Sequence, residues 1–365
     1  MNQKLVRLIV YITICQEIIM KREAVNHHYI RWGLIITVVL GLLCLIGYEY
    51  HHWRSAANEI HTRSSATSTA LINKHQPFSV LVMGTDVEAL GRGTSYAGNT
   101  DTMEVITVNP RKKRITMVAI PRDTLVKVQT KAGTRYVKIN AAYAIGGPHL
   151  AKQQVSELIG VPINFYALTN MGTLKTVVNA VGGVNVNNPF AFTYEGHHFK
   201  KGWQHLNGKD ALKYSRMRYD DPNNDYGRQK RGQQVLQSVI SSFKQRGSLK
   251  AANEIITAAK DGVRTDLPLN HLSSLYINYH SAMGHTSKDH LQGKDAQIDG
   301  NDFQIATASE INHVSKELCQ SLDLPFHRVV NNETRMNKDQ KSWNGYNQLN
   351  YHLPDGAHYN VLIQK

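Results

Sequence analysis

TDTMEVITVNPRKKRITMVAIPRDT, residues Thr100 to Thr124, contains two apolar runs separated by a polar turn. Thr102 to Val108 and Ile115 to Ile120 are rich in β-branched residues and bounded by turn formers, so each reads as a strand. Asn109, Pro110, Arg111 and Lys112 between them predict a hairpin. Just upstream, Phe78 to Met83 in PFSVLVMGTD is a short apolar run ending at Gly84, Thr85 and Asp86, the pattern of a buried strand that delivers a carboxylate to a loop. Asp101 stands at the head of the second strand, and Arg122 and Asp123 follow the third. Three strand ends thus present Asp86, Asp101 and Arg122; whether those ends face the same way is left open by the sequence.

Helical patterns follow on the C-terminal side. Lys138 to Gly147 and His149 to Gly160 read as helices closed by glycine. INFYALTN is a strand, and MGTLKTVVNAVGG a helix ending at Gly182 and Gly183. GKDALKYSRM reads as a helix or helix-turn. Gly227 to Lys244 has helical period, with Val235, Val239, Ile240 and Phe243 on its apolar side. Further helices are predicted over Ala251 to Lys260, Leu269 to Ala282 and Ala308 to Ser321. Strands interleaved with helices predict an α/β layered domain, and the hairpin makes its sheet mixed. From Leu324 the chain is rich in Asn, His, Gln and Lys, and residues 326–365 read as a loose polar tail behind a domain spanning 77–325.

Between two of these helices lies KYSRMRYDDPNNDYGRQKR, Lys213 to Arg231, with four arginines and three aspartates around a turn. Arg216 and Arg218 alternate, and Arg228 and Arg231 open the next helix. Asp220 to Asp225 and Gly227 are turn formers, so the two arginine pairs can fold back toward one pocket. A guanidinium fork binds phosphate oxygens bidentately and keeps its charge, so convergent arginines suit a pyrophosphate. A solvated loop with surface ion pairs is the competing reading.

Composition and the N-terminus restrict the setting. Forty-two Lys plus Arg against 28 Asp plus Glu give a formal charge of +14, which favours polyanionic partners. Trp32 to Tyr48 is apolar and as a helix would be roughly 25 Å long, near the short end of what spans a bilayer. Lys21, Arg22 and Arg31 precede it, so residues 1–31 are expected in the cytoplasm and everything after the span outside the cell membrane. Residues 49–76 suit an extracellular stalk. An outside location argues against nucleic acid as a partner. MKREAV at Met20 is also an ordinary lead-in to an anchor, so translation is expected to start there. The three cysteines, Cys15, Cys44 and Cys319, offer no disulfide framework outside the membrane. The histidine pairs His51–His52 and His197–His198 lack a third ligand at useful spacing and read as surface residues.

If Asp86 and Asp101 meet beside the arginines, the pair suits Mg²⁺, which takes one or two carboxylates and fills its octahedron with phosphate oxygens and water. Turn or cap residues at strand ends are the plainer reading of each aspartate. FSVLVMGTD, GNTDTM, VAIPRDT, KINAAYAIGG, YALTNMGTLKTVVNAVGGVNV and ALKYSRMRYDDPNNDYGRQKR, in this order behind one apolar segment, resemble the LytR-CpsA-Psr family of cell-envelope phosphotransferases. The likeness covers roughly residues 77 to 245 strongly and the helices to about 325 weakly.

The resemblance implies a three-layer α-β-α fold that binds a polyprenyl pyrophosphate lipid in an apolar tunnel. It implies transfer of the attached glycopolymer, wall teichoic acid or capsule, with its phosphate, to a peptidoglycan hydroxyl in Gram-positive bacteria. Carried over by position, Asp86 and Asp101 would hold Mg²⁺, and Arg122, Arg216, Arg218 and Arg228 would grip the pyrophosphate with Lys138 nearby. Asp225 would orient the arginines or help to deprotonate the acceptor. Two positions depart from the family pattern. Asn99 stands where an arginine is common, with Arg92 as a candidate substitute, and Gly232 stands near the place of a glutamine that Gln233 or Gln234 could replace. A non-catalytic receptor for anionic polymer and a polyprenyl pyrophosphatase are the alternative functions.

Overall fold

A computed structural model describes residues 65–85, 98–246, 249–259, 262–268, 272–340 and 351–360. The expected anchor 32–48, the stalk up to residue 64, Asp86 and Arg92 lie outside the described residues. Among the described residues no helix is long and apolar enough to cross a membrane.

The three strands read from the sequence form the centre of the domain. They are β1 (Phe78–Thr85), β2 (Thr100–Asn109) and β3 (Arg114–Ala119), antiparallel in turn. After the ribbon β4 (Leu125–Thr130) and β5 (Gly133–Lys138), β6 (Phe165–Asn170) returns parallel to β1. The next strands are β7 (Val184–Asn188), β8 (Phe192–Tyr194), β9 (His197–Phe199), β10 (Gly202–Leu206) and β11 (Val263–Thr265). Last come β12 (His285–His290), β13 (Gly293–Ile298) and β14 (Asn301–Ala306). The six-stranded sheet runs β11-β6-β1-β2-β3-β12, with β11 antiparallel to β6 and β12 parallel to β3. It is a mixed sheet, as the hairpin required.

The helices are α1 (Ala66–Asn73), α2 (Ala141–Ile159), α3 (Met171–Ala180), α4 (Gly208–Arg216), α5 (Asn224–Arg246), α6 (Leu249–Ala259), α7 (Leu272–Tyr279), α8 (Ala308–Ser321) and α9 (Asn332–Asp339). Because strand side chains alternate, each central strand feeds two cores. Met103, Val105, Val118 and Ile120 pack with Val155 and Leu158 of α2 and with Ile311, Val314 and Leu318 of α8. On the other face Ile106, Ile115 and Met117 meet Leu236 and Ile240 of α5 and Ala282. Burying each such side chain contributes about 1.5–3 kcal/mol, so helices on both faces hold the sheet. A third cluster joins Val178, Val184, Phe192, Phe199, Tyr214, Met217 and Val235, and so fixes α4 and the start of the arginine stretch.

Two expectations change, and a third holds. The described parts of the tail, 326–340 and 351–360, are not loose: α9 opens with a capping box at Asn331, and Met336, Tyr351 and Leu353 are buried with Leu125, Ala296, Phe303 and Ile305. A few apolar anchors offset its polar composition. Lys138 ends β5 instead of starting a helix. The two glycine-closed helices are both present as the two halves of α2, separated at Gly146 and Gly147, where the backbone leaves helical geometry ahead of Pro148.

Candidate active site

Pairing settles how the strand ends are disposed. Thr85 lies opposite Thr100 on one side and Asn170 on the other, and Glu104 lies opposite Ala119. The C-terminal ends of β1, β3 and β6 and the start of β2 therefore share one end of the sheet. The first turns of α5 lie over the same place, since Arg228 and Gln229 line one cavity with Asp101, Arg122 and Asn170.

That cavity has a volume of about 290 Å³. Val82, Ala119, Leu174, Val235 and Leu236 make an apolar interior, while Arg122, Arg216, Arg218 and Arg228 line it together with Asp101. Asp225 holds the cationic group in place. Its carboxylate accepts from Arg228 Nε at 2.9 Å and Arg228 Nη2 at 3.1 Å, and from Gln229 Nε2 at 3.0 Å, with Arg218 Nε 3.9 Å away. Burial alone would raise its pKa, but the Arg228 charge, these bonds and Arg122 hold it below the usual carboxylate range. Arg122 Nη1 donates to Asp101 Oδ1 at 2.5 Å. Burial works against its charge, yet Asp101, Asp225 and Asp123 together push its pKa above the ordinary arginine value.

Of the site residues read from the sequence, Asp101, Arg122, Arg216, Arg218 and Arg228 share the cavity, and Asp225 binds two of these arginines at its edge. Arg216 Nη1 is paired with Glu195 Oε1 at 3.0 Å. Lys138 does not line the cavity; its Nζ reaches Asp123 Oδ1 at 3.0 Å, and Asp123 in turn lies 3.6 Å from Arg122 Nε. Arg231 leaves the pair it was expected to form with Arg228. Its side chain is only 2% exposed, pairs with Asp221 and donates to the carbonyls of Tyr214 and Met217. Buried where no phosphate can reach, it ties the turn to α4. Gly227 is required beneath this pair, because a Cβ there would run into the Asp221 carboxylate.

The residues fit a hard cation. Asp101 lies at the head of β2, and among the described residues Thr85 Oγ1 and Asn99 Oδ1, at the adjoining strand ends, are buried oxygens without a hydrogen-bond partner. Oxygen donors of this kind suit Mg²⁺, and of the three residues Asp101 lines the cavity. A separate group, Asp289, His313 and Glu317, has metal-ligand spacing. It belongs to the opposite face of the sheet, where Asp289 pairs with Val118, and His313 Nε2 sits 3.1 Å from Asp289 Oδ2. His197 and His198 make ordinary contacts on the β8–β9 ribbon, with Asp210 and Thr193.

Sequence reading missed Glu104. It interrupts the apolar run of β2 at a position facing α5 and lines the cavity, where Gln233 Nε2 donates to it at 2.7 Å. Burial pushes its carboxyl up to about 8, although the Gln233 bond and Lys288 pull the other way. The signal was present as a charged residue inside a β-branched run. Gly232 lines the same wall with open space where its side chain would be, and Gln233 is engaged with Glu104 and the Asp289 carbonyl.

Comparisons with known proteins agree with this geometry. The model of the LytR_cpsA_psr family matches residues 47–320. The chain is 38% identical over 295 residues, 80% of its length and 96% of the relative's, to the polyisoprenyl-teichoic acid–peptidoglycan teichoic acid transferase TagU of Enterococcus faecalis. Among solved structures, protein gbs0355 of Streptococcus agalactiae superposes with a TM-score of 0.68 at 30% identity, covering 77% of this chain and all of that one. Bacillus subtilis TagU does so with a TM-score of 0.53 at 33% identity, covering 69% and 99%. With strand order, arginine-lined cavity and these matches in accord, the chain belongs to the LytR-CpsA-Psr family.

Proposed function

We propose that this protein transfers a glycopolymer, together with its phosphate, from a polyprenyl pyrophosphate carrier to a hydroxyl of peptidoglycan. The observation that carries this is the cavity itself: four guanidinium groups and the start of α5 surround a space with an apolar interior. Fixed positive charge and a helix N-terminus suit a pyrophosphate, and the apolar walls suit the lipid attached to it. The relatives named as teichoic acid transferases favour wall teichoic acid as the polymer.

The chemistry balances as a phosphoryl transfer. A lone pair of the acceptor oxygen forms a bond to the polymer-linked phosphorus, and the bond from that phosphorus to the bridging oxygen breaks. Polyprenyl monophosphate leaves with the electron pair, and the hydroxyl proton passes to it, since a phosphate monoester takes up its second proton with a pKa of about 6. Arg122, Arg218 and Arg228 neutralise the pyrophosphate and the charge that shifts to the leaving group. Asp225, with both oxygens occupied, fits the holding of guanidinium groups better than the acceptance of a proton. Asp101, with Asp86 next to it in the family pattern, would hold Mg²⁺, which supplies further neutralisation of the phosphates when bound. The segment 32–48 would anchor the domain outside the cell membrane, within reach of both lipid and wall.

Reconstitution tests the reading. The full chain, given teichoic acid on polyprenyl pyrophosphate and peptidoglycan, should release polyprenyl monophosphate in equal amount to polymer attached, and chelation of Mg²⁺ should stop it. Monophosphate release without attachment would indicate a pyrophosphatase, and binding without either product a receptor.

A further inference from the structure

A second cavity, of about 380 Å³, adjoins the first and shares Arg218, Tyr219 and Gln229 with it, while Asp225 lines the second alone. Its remaining walls have a different chemistry. Asp123 lies on one side, and the outward face of the β13–β14 ribbon supplies Asp295, Gln297, Asp302 and Gln304. Cross-strand contacts hold these groups: Gln297 Nε2 donates to Asp302 Oδ1 at 3.2 Å, and Gln304 donates to Asp295. The ribbon is fixed to α5 through Tyr226, whose hydroxyl accepts from the Gly293 amide at 2.7 Å and donates to Gln304 Oε1 at 2.8 Å.

Charge distinguishes what the two cavities can take. Arg218 is the sole Lys or Arg lining the second cavity among the described residues, against the four aspartates Asp123, Asp225, Asp295 and Asp302. Another pyrophosphate is repelled there. Hydroxyl and acetamido groups are not, because carboxylates accept hydrogen bonds and side-chain amides both donate and accept. Tyr219, 87% exposed at the shared wall, offers an aromatic face to the apolar side of a sugar ring. The volume lies within the ~300–1,000 Å³ range of pockets that enclose small organic ligands.

We propose that the second cavity is the acceptor site, holding an uncharged, hydroxyl-rich saccharide segment of peptidoglycan and presenting its hydroxyl across the Arg218–Asp225 wall. The assignment rests on the transferase reading above, because an acceptor has to stand next to the reacting phosphorus.

The test uses the full chain in detergent with a tetrasaccharide of alternating N-acetylglucosamine and N-acetylmuramic acid whose lactyl carboxyls are capped as amides, so that the probe carries no charge. Asp295 and Asp302 are exposed on the ribbon, so Asp295→Ala and Asp302→Ala should fold normally. Each is expected to raise the acceptor KM by about tenfold, equivalent to ~1.4 kcal/mol, while the KM for lipid pyrophosphate stays within about twofold. An unmoved acceptor KM in both variants, or equal rises in both KM values, overturns the proposal. Tetrasaccharide binding read by saturation-transfer NMR needs no turnover: weaker binding in the variants supports the site, and equal binding removes it. Failure of the wild type to transfer polymer would count against the transferase reading, and the binding comparison would still decide this one.

Discussion

The two adjoining cavities share one wall and differ in nearly everything else. The first has four arginines and an apolar interior; the second has one shared arginine, four aspartates and side-chain amides. A single turn, Tyr219 to Asp225, separates them, so the same backbone serves an anionic lipid on one side and a neutral glycan on the other. The difference shows that net charge of +14 is a poor guide to a site. What matters is which side of the turn each charge occupies and what it is paired with.

The largest effect is expected where both cavities depend on one contact. Asp221→Ala would strand the Arg231 guanidinium, both side chains being 2% exposed, and should destabilise the domain by roughly 3–5 kcal/mol in denaturant titrations. A loss below about 1 kcal/mol would show that the turn is held otherwise. Next, Arg228→Ala should lower the transfer rate about 10²–10³-fold, as for the removal of one preorganised donor, with acceptor KM unchanged. An equal effect on acceptor KM would erase the distinction between the cavities.

Glu104 sharpens the contrast from inside the lipid cavity. Its folded pKa is raised from 4.5 to about 8, so the folded state holds a proton that the unfolded chain releases. Its contribution is fully present below pH 4.5 and is lost as pH rises toward and through about 8. Glu104→Gln keeps the hydrogen-bond partner without the ionisation, and its thermal midpoint should exceed that of the wild type by a few degrees at pH 8.5 and match it near pH 4.5. Parallel pH profiles would show that the carboxyl is not held neutral. The smallest effect is assigned to Tyr219→Ala, which should weaken acceptor binding by ~0.5–1.5 kcal/mol and weaken lipid pyrophosphate binding less, the ring lying on the shared wall.

Much of this was legible because the relevant signals are local. The hairpin of Thr102–Val108 and Ile115–Ile120 was written in β-branched runs and an Asn-Pro turn, and α5 in its apolar stripe. The arginine stretch announced itself by charge density. Long-range choices were harder. Nothing in the spacing separates Arg228, which faces the cavity, from Arg231, which is buried against Asp221 and two carbonyls. β12, HTSKDH, was missed because an edge strand carries too many polar residues to look apolar. The tail read as loose because four residues, Val329, Met336, Tyr351 and Leu353, supply the buried contacts for a long polar segment. The ribbon β13–β14 has its alternation in plain view, but its partner across the cavity, the turn before α5, is some 70 residues away in the chain.

Diffraction from crystals soaked with farnesyl pyrophosphate tests the central claim most directly. The two phosphates should lie within hydrogen-bond reach of Arg122 and Arg228, with the tail directed along Val82, Val235 and Leu236. Phosphates bound on another face, with the cavity empty, would contradict the claim.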